Sequence, residues 1–198
     1  SKEDLIINGN GTLNVNAGYR NGIKSTDDCI IVSGTLNITS TEDGIIGKDL
    51  CGIVAGDINI NAGSDGVKST YDTDTTKGNV IIEGGNITIK ASNDGIQAEN
   101  ILVINDGTIN IKTNNGAADT TQTHIDNMDM GRGGFGFNNN KTTTTTDDTS
   151  ESRKGIKAGN MLIINDGDIT IDSDDDSVHC NSEIYIYGGT INAATGDD

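Results

Sequence analysis

Three carboxylates in register are the first candidates for chemistry. Asp43, Asp65 and Asp94 each precede a glycine (Gly44, Gly66 and Gly95), and Asn21 precedes Gly22 in the same frame. If successive units stack as neighbouring strands do, these side chains lie roughly 5 Å apart. Like charges at that spacing repel by about 1 to 3 kcal/mol at surface dielectrics, and a bound divalent cation would remove the conflict. Groups of Asp, Asn, Ser and backbone carbonyl suit Ca²⁺, whereas zinc wants His and Cys at ligand spacing. The two histidines, His124 and His179, have no partner histidine nearby. A second acidic set lies across the following Gly-φ-Lys strand: Asp27, Asp28, Asp49, Asp72, Asp74 and Glu99, with a dense run at Asp174, Asp175 and Asp176. Asp-Gly and Asn-Gly also favour tight turns on backbone grounds alone, so a structural use of each pair stands beside the calcium reading.

Next to the bends runs a column expected to face outward: Lys24, Ile46, Lys68, Gln97, Lys157 and His179. Lysines beside calcium-loaded carboxylates suit acidic sugars, the metal bridging a uronate and the amine binding it directly. The same pair could perform β-elimination, with Ca²⁺ acidifying the proton α to the carboxylate and Lys68, Lys24 or Lys157 abstracting it. Arg20, Arg132 and Arg153 all lie in bends or in an insertion, which weakens that lyase reading. The bland alternative is that the lysines neutralise the Asp column. Tyr185 and Tyr187 alternate with Ile184 and Ile186 and should project outward, as a sugar platform or a terminal cap. Tyr71, in a bend, joins Lys24, Lys68 and this pair as candidate carbohydrate contacts.

The elements that must position these groups recur with a period of about 22 residues. Turn glycines Gly11, Gly34 and Gly56 stand 23 and 22 apart, and Gly85 to Gly107 and Gly167 to Gly189 are 22 each. After each turn glycine comes an apolar pair: Leu13/Val15, Leu36/Ile38, Ile58/Ile60, Ile87/Ile89, Ile109/Ile111, Ile169/Ile171 and Ile191/Ala193. Between the members of each pair stands Asn or Thr. Alternation of this kind puts the aliphatic columns inside and the Asn/Thr column outside. Each such unit buries its apolar side only by stacking on its neighbours, which is the logic of a solenoid. The fold expected is an all-β parallel β-helix of about seven coils in one domain spanning 1–198. A short insertion falls near Tyr71 to Lys77, and a long inserted loop at about 116–153. At about 4.8 Å per coil the stack would be roughly 30 to 35 Å long.

Composition agrees with aliphatic ladders: 27 glycines, no proline, no tryptophan and 3% aromatic residues. Every coil needs its backbone N–H for the ladders above and below, so the absence of proline is consequential. Cys29 and Cys51 fall in one inward column, where small buried hydrophobes are expected in preference to a disulfide. A net charge of −17, from 13 basic and 30 acidic residues, leaves no basic face for nucleic acid and favours cations. No apolar run is long enough to span a membrane. The chain opens at Ser1-Lys2-Glu3, as a mature or trimmed fragment would. The outward positions of the first strand of each coil read Ile30, Gly52, Ile81, Val103, Ile163 and Tyr185, an apolar row that marks a covered face or a contact surface. The insertion, through Ile125, Met128, Met130, Phe135 and Phe137, is one candidate cover.

The φ-x-φ-x-G-G-x-φ-x-φ unit with Asp-Gly-Ile bends, seen in VIIEGGNITIKASNDGIQAEN (Val80 to Asn100) and MLIINDGDITIDSDDDSVHCN (Met161 to Asn181), resembles the secreted bacterial carbohydrate-binding β-helix family related in fold to polysaccharide lyases. The resemblance spans all coils and excludes the long insertion. It implies a right-handed, pectate-lyase-like helix, bound calcium, an extracellular or cell-surface setting, and affinity for cellulose and pectic acid. The resulting expectation is a calcium-binding, non-catalytic carbohydrate-binding protein. A calcium-dependent lyase and a structural or adhesive solenoid stand as alternatives.

Overall fold

A computed structural model describes residues 1–117 and 152–196. All elements among the described residues are strands, and they build three parallel sheets. The first sheet has seven strands: Leu5–Ile7, Cys29–Ile31, Leu50–Ile53, Asn79–Ile82, Ile101–Ile104, Met161–Ile164 and Glu183–Ile186. The second, also seven-stranded, takes the longest strand of each coil, from Thr12–Ala17 to Thr190–Thr195. The third has six short strands, from Ile23–Ser25 to Val178–Cys180. In each sheet a strand pairs with its equivalents one coil before and after, which is the architecture of a parallel β-helix.

Register follows the repeat. Leu13, Leu36, Ile58, Ile87, Ile109, Ile169 and Ile191 are successive partners in the second sheet. The strand Asp57–Ala62 alternates exposed and buried positions without exception, and Asn86–Ala91 does the same. The buried members join those of the other two sheets in one interior cluster. On the outer face Asn37 donates its amide to Asn14 at 2.8 Å and Asn59 donates to Asn37 at 3.1 Å, so the polar column is itself a hydrogen-bonded ladder. Cys29 and Cys51 are register partners, buried and unbridged. Desolvation pushes the Cys29 thiol up to about 11, consistent with an inert space-filling role.

Two glycine columns have different physical causes. At the corner between the first and second sheets Gly34, Gly56, Gly85, Gly107, Gly167 and Gly189 all have positive φ, where a side chain is strained. In the first coil the positive φ falls at Gly9, although Gly11 is the register equivalent of Gly34; that corner is one residue longer than the next, and a further extra residue in the bend between Ala17 and Ile23 accounts for the interval of 23. The glycines of the Asp-Gly bends do not have positive φ. A Cβ at Gly44 would lie 2.5 Å from both the Gly66 carbonyl oxygen and Ile60 Cγ2, and Gly66 and Gly95 are equally crowded. Close packing of coil on coil, rather than turn geometry, demands glycine there.

The short insertion forms a loop between Val67–Ser69 and Asn79–Ile82, held by Asp74, whose Oδ1 accepts the Thr76 N–H at 2.9 Å. Most of the long insertion, with His124, Ile125, Met128, Met130, Arg132, Phe135 and Phe137, lies outside the described residues. Its two stems are anchored on one strand end: Ala117 donates its N–H to Asp172 Oδ1 at 2.9 Å, and Arg153 Nη1 donates to Asp174 Oδ2 at 2.7 Å.

Candidate functional site

The stacked carboxylates form a column, and the backbone uses it. Asp43 donates its N–H to Asn21 Oδ1 at 3.2 Å, Asp65 to Asp43 Oδ1 at 3.1 Å, Asp94 to Asp65 Oδ1 at 3.0 Å, and Lys154 to Asp94 Oδ1 at 2.8 Å. Each carboxylate therefore caps an amide of the coil above, at a bend where no strand partner supplies an acceptor. Asp65 and Asp94 are buried. Their second oxygens meet lysines: Lys68 Nζ lies 2.5 Å from Asp65 Oδ2, and Lys157 Nζ lies 3.3 Å from Asp94 Oδ2. Burial, joined by the neighbouring Asp94 and Asp43, pushes the Asp65 carboxyl up against the pull of Lys68. For Lys68 burial works against the charge, but the Asp65 carboxylate prevails and raises it above the ordinary lysine value. Such an ammonium holds its proton, which makes Lys68 a poor general base.

The other outward-column residues differ from one another. Lys24 is exposed, Lys157 donates to Ser152 Oγ at 3.1 Å, and His179 lies between Asp176 Oδ2 at 2.9 Å and Asn181 Oδ1 at 3.1 Å. Ile46 occupies the register position between Lys24 and Lys68, yet it is buried, contrary to the outward exposure expected.

The second acidic set divides between two places. Near the first coils Asp27 and Asp28 meet Asp4, with ligand oxygens of all three within 4.8 Å of one another. Asp49 adjoins this group, and the hydrogen bond between the Asp27 and Asp49 carboxyls raises Asp27. Asp28 is raised by burial and then by Asp4 and Asp49. Lys77 Nζ, 2.5 Å from Asp49 Oδ2, holds the Asp49 carboxyl below its usual range. Asp4 lies before the first full repeat, so spacing gave no reason to single it out.

Asp72, Asp74 and Glu99 lie elsewhere, in a groove of about 230 Å³ beside the short insertion, with Tyr71, Asn160 and Asn181. Its floor is the buried Asn100, whose side-chain amide donates to the Thr75 carbonyl and whose Oδ1 accepts from Asn160 Nδ2 at 2.7 Å. Lys48 and Lys77 sit against the Tyr71 ring, 4.6 and 5.0 Å from its centroid. No lysine or arginine is among the groove's described lining.

On the outer face of the first sheet the apolar row has the expected register: Ile30, Gly52, Ile81, Val103, Ile163 and Tyr185 are successive partners. Its middle members are half-buried and Gly52 is buried, while Ile6, which extends the row to the first coil, is 62% exposed. Along one side runs a polar rail, in which Asn105 donates to Glu83 Oε2 at 2.8 Å and Asn165 to Asn105 Oδ1 at 2.6 Å. Row and rail end in Tyr185 and Tyr187, whose exposed rings are parallel to within 5° with centroids 6.1 Å apart. The rail was missed from sequence because Asn, Glu and Asn at one column position look like ordinary surface residues. Its signal is the 22-residue spacing of Glu83 and Asn105 read together with the strand register.

A family model described as "Carbohydrate-binding domain-containing protein" matches residues 1–198. No curated protein and no solved structure matches the chain.

Proposed function

Because the chain belongs to this carbohydrate-binding domain family, we propose that it is a non-catalytic binder of plant cell-wall polysaccharide acting outside the cell or at its surface. The outer face of the first sheet is the platform. A neutral glucan such as cellulose has apolar C–H faces and hydroxyl edges. The half-exposed aliphatic row can lie under such a face, the Glu83–Asn105–Asn165 rail can hydrogen-bond its edge, and the parallel tyrosines can stack on it. The continuity of row, rail and ring pair along one face of the first sheet is the single observation that carries this reading.

Pectic acid would be held differently. The Asp4, Asp27 and Asp28 oxygens are hard donors close enough to share one cation. That donor set fits Ca²⁺, and Asp27, raised first by Asp49, and Asp28, raised by burial and then by Asp4, stay raised although Lys77 is nearby on Asp49. Calcium bound there would supply a positive point to which a uronate carboxylate can attach. The lyase alternative needs a lysine that gives up its proton, and Lys68 is held in the opposite state.

Depletion from solution by insoluble cellulose and by pectate gel, each with and without EDTA, tests the proposal. Cellulose should remove the protein under both conditions and pectate only without chelator. Failure to bind either solid, or release of unsaturated uronide, would refute it.

A further inference from the structure

Row and rail on the outer face of the first sheet coincide over only part of its length. From coil four to coil seven each strand presents one row residue and one rail residue, beginning with Ile81 and Glu83 and ending with Tyr185 and Tyr187. The rail positions are true equivalents: Asn105, Asn165 and Tyr187 each donate a backbone N–H to the carbonyl one coil earlier, of Ile82, Ile104 and Ile164. Before coil four the pattern breaks. Gly52 leaves the row without a side chain, and the rail column there holds Val32 and Val54, which cannot hydrogen-bond a sugar edge. The fold does not force the gap at Gly52: its φ is not positive, and a Cβ there would meet only Ile30, at 3.6 and 3.8 Å.

The regular step between these four coils fixes a direction. Neighbouring strands stand about 4.8 Å apart, and an extended β-1,4-linked glycan advances by nearly the same distance per sugar. Laid across the strands, parallel to the solenoid axis, such a chain keeps one sugar over each coil for several steps. Laid along a strand, it would meet only the outward side chains of a single coil. Successive sugars of a β-1,4 chain are turned over relative to one another, so the edge toward the rail alternates ring hydroxyls with a hydroxymethyl group. The carboxamides of Asn105 and Asn165 both donate and accept, and so serve either kind of edge. Their bonds to Glu83 and to each other hold them in line. We propose that the platform is an axial site of four sugar positions, one for each of coils four to seven, selective for extended β-1,4-linked glycans, with the terminal sugar over Tyr185 and Tyr187. It rests on the cellulose-platform reading and adds direction, register and length.

Calorimetric titration with cello-oligomers of two to six sugars tests the register. Affinity should rise at least about threefold with each sugar from dimer to tetramer, since each added ring buries at least about one CH₂ group of apolar surface, and then change by less than about twofold to the hexamer. A β-1,3-linked glucose tetramer, whose chain coils away from a straight row, should bind at least about tenfold more weakly than the β-1,4 tetramer. The I81S/E83A variant should bind the tetramer no more tightly than the trimer, while V32S/V54S should bind both as the unaltered protein does. Equal affinity of dimer and tetramer, a continuing threefold rise beyond the tetramer, equal affinity for the two linkages, an unaltered length profile in I81S/E83A, or weakened tetramer binding in V32S/V54S would each overturn the proposal. So would depletion by insoluble cellulose with no oligomer bound. The platform reading would survive those outcomes, whereas absence of all binding, to oligomers and insoluble cellulose alike, would refute both.

Discussion

Asp94 donates its backbone N–H to the buried carboxylate of Asp65 at 3.0 Å, one coil away. A carboxylate column that looks like a ligand set in the sequence thus also closes the backbone ladder where the chain bends. Asp65→Ala removes the acceptor for that amide and the partner of Lys68, leaving both groups short of bonds. Urea unfolding should register a loss of about 1 to 3 kcal/mol. Asp65→Asn keeps an oxygen for the amide and should lose less. Equal stability of the alanine variant and the unaltered protein would show that the ladder is dispensable.

Glycine at the bends is demanded by coil-to-coil contact. Gly44→Ala drives a Cβ to 2.5 Å from the Gly66 carbonyl, which cannot move without disturbing the next coil. A cost of about 1 to 3 kcal/mol or more is expected in thermal or chemical unfolding. Gly84→Ala, whose Cβ would find only the Val54 carbonyl oxygen at 3.6 Å, serves as the tolerant control. Similar losses at the two positions would remove the packing explanation.

Acid should loosen the fold through its depressed carboxyls. Asp172, bonded first to Lys112 and then to the Ala117 N–H, and Asp49, bonded to Lys77, both sit below the ordinary 3.8. The folded state therefore binds fewer protons than the unfolded chain. Their contribution is complete above the unfolded value and disappears as pH falls through the folded one. Asp65, raised by burial, has the opposite slope and offsets part of the loss. Asp172→Asn should flatten the acid limb of a melting-temperature profile, and an unchanged limb would exclude Asp172 as a contributor.

Calcium should raise the melting temperature by binding the folded state alone. The rise should vanish in the D27N/D28N variant and persist in D72N/E99Q, since the two acidic groups are separate. A rise that is intact in D27N/D28N would move the ion away from Asp4, Asp27 and Asp28.

The coil period, the inward columns and the outward Asn ladder were legible in the sequence because β-structure maps alternation directly onto faces. Leu36, Ile58 and Ile87 need only a constant register to meet. Side-chain destinations were less legible. Asp27, Asp49, Asp72 and Glu99 are similarly spaced in the sequence, but a loop displaces Asp72 into a groove and Lys77 claims Asp49. Asp4 was invisible because it precedes the repeat. Gly11 takes its expected place in the glycine column, but the positive φ at Gly9 was not legible, because the first corner is one residue longer than the others.

Retention on insoluble cellulose by the unaltered protein and by Y185A/Y187A tests the platform most directly. Both tyrosines are exposed and pack on no interior neighbour, so the variant should unfold at close to the same temperature. The account predicts strong depletion of the unaltered protein and at least about fivefold weaker binding of the variant, from the loss of two ring contacts worth about 0.5 to 1.5 kcal/mol each. Equal retention of the two proteins would contradict it.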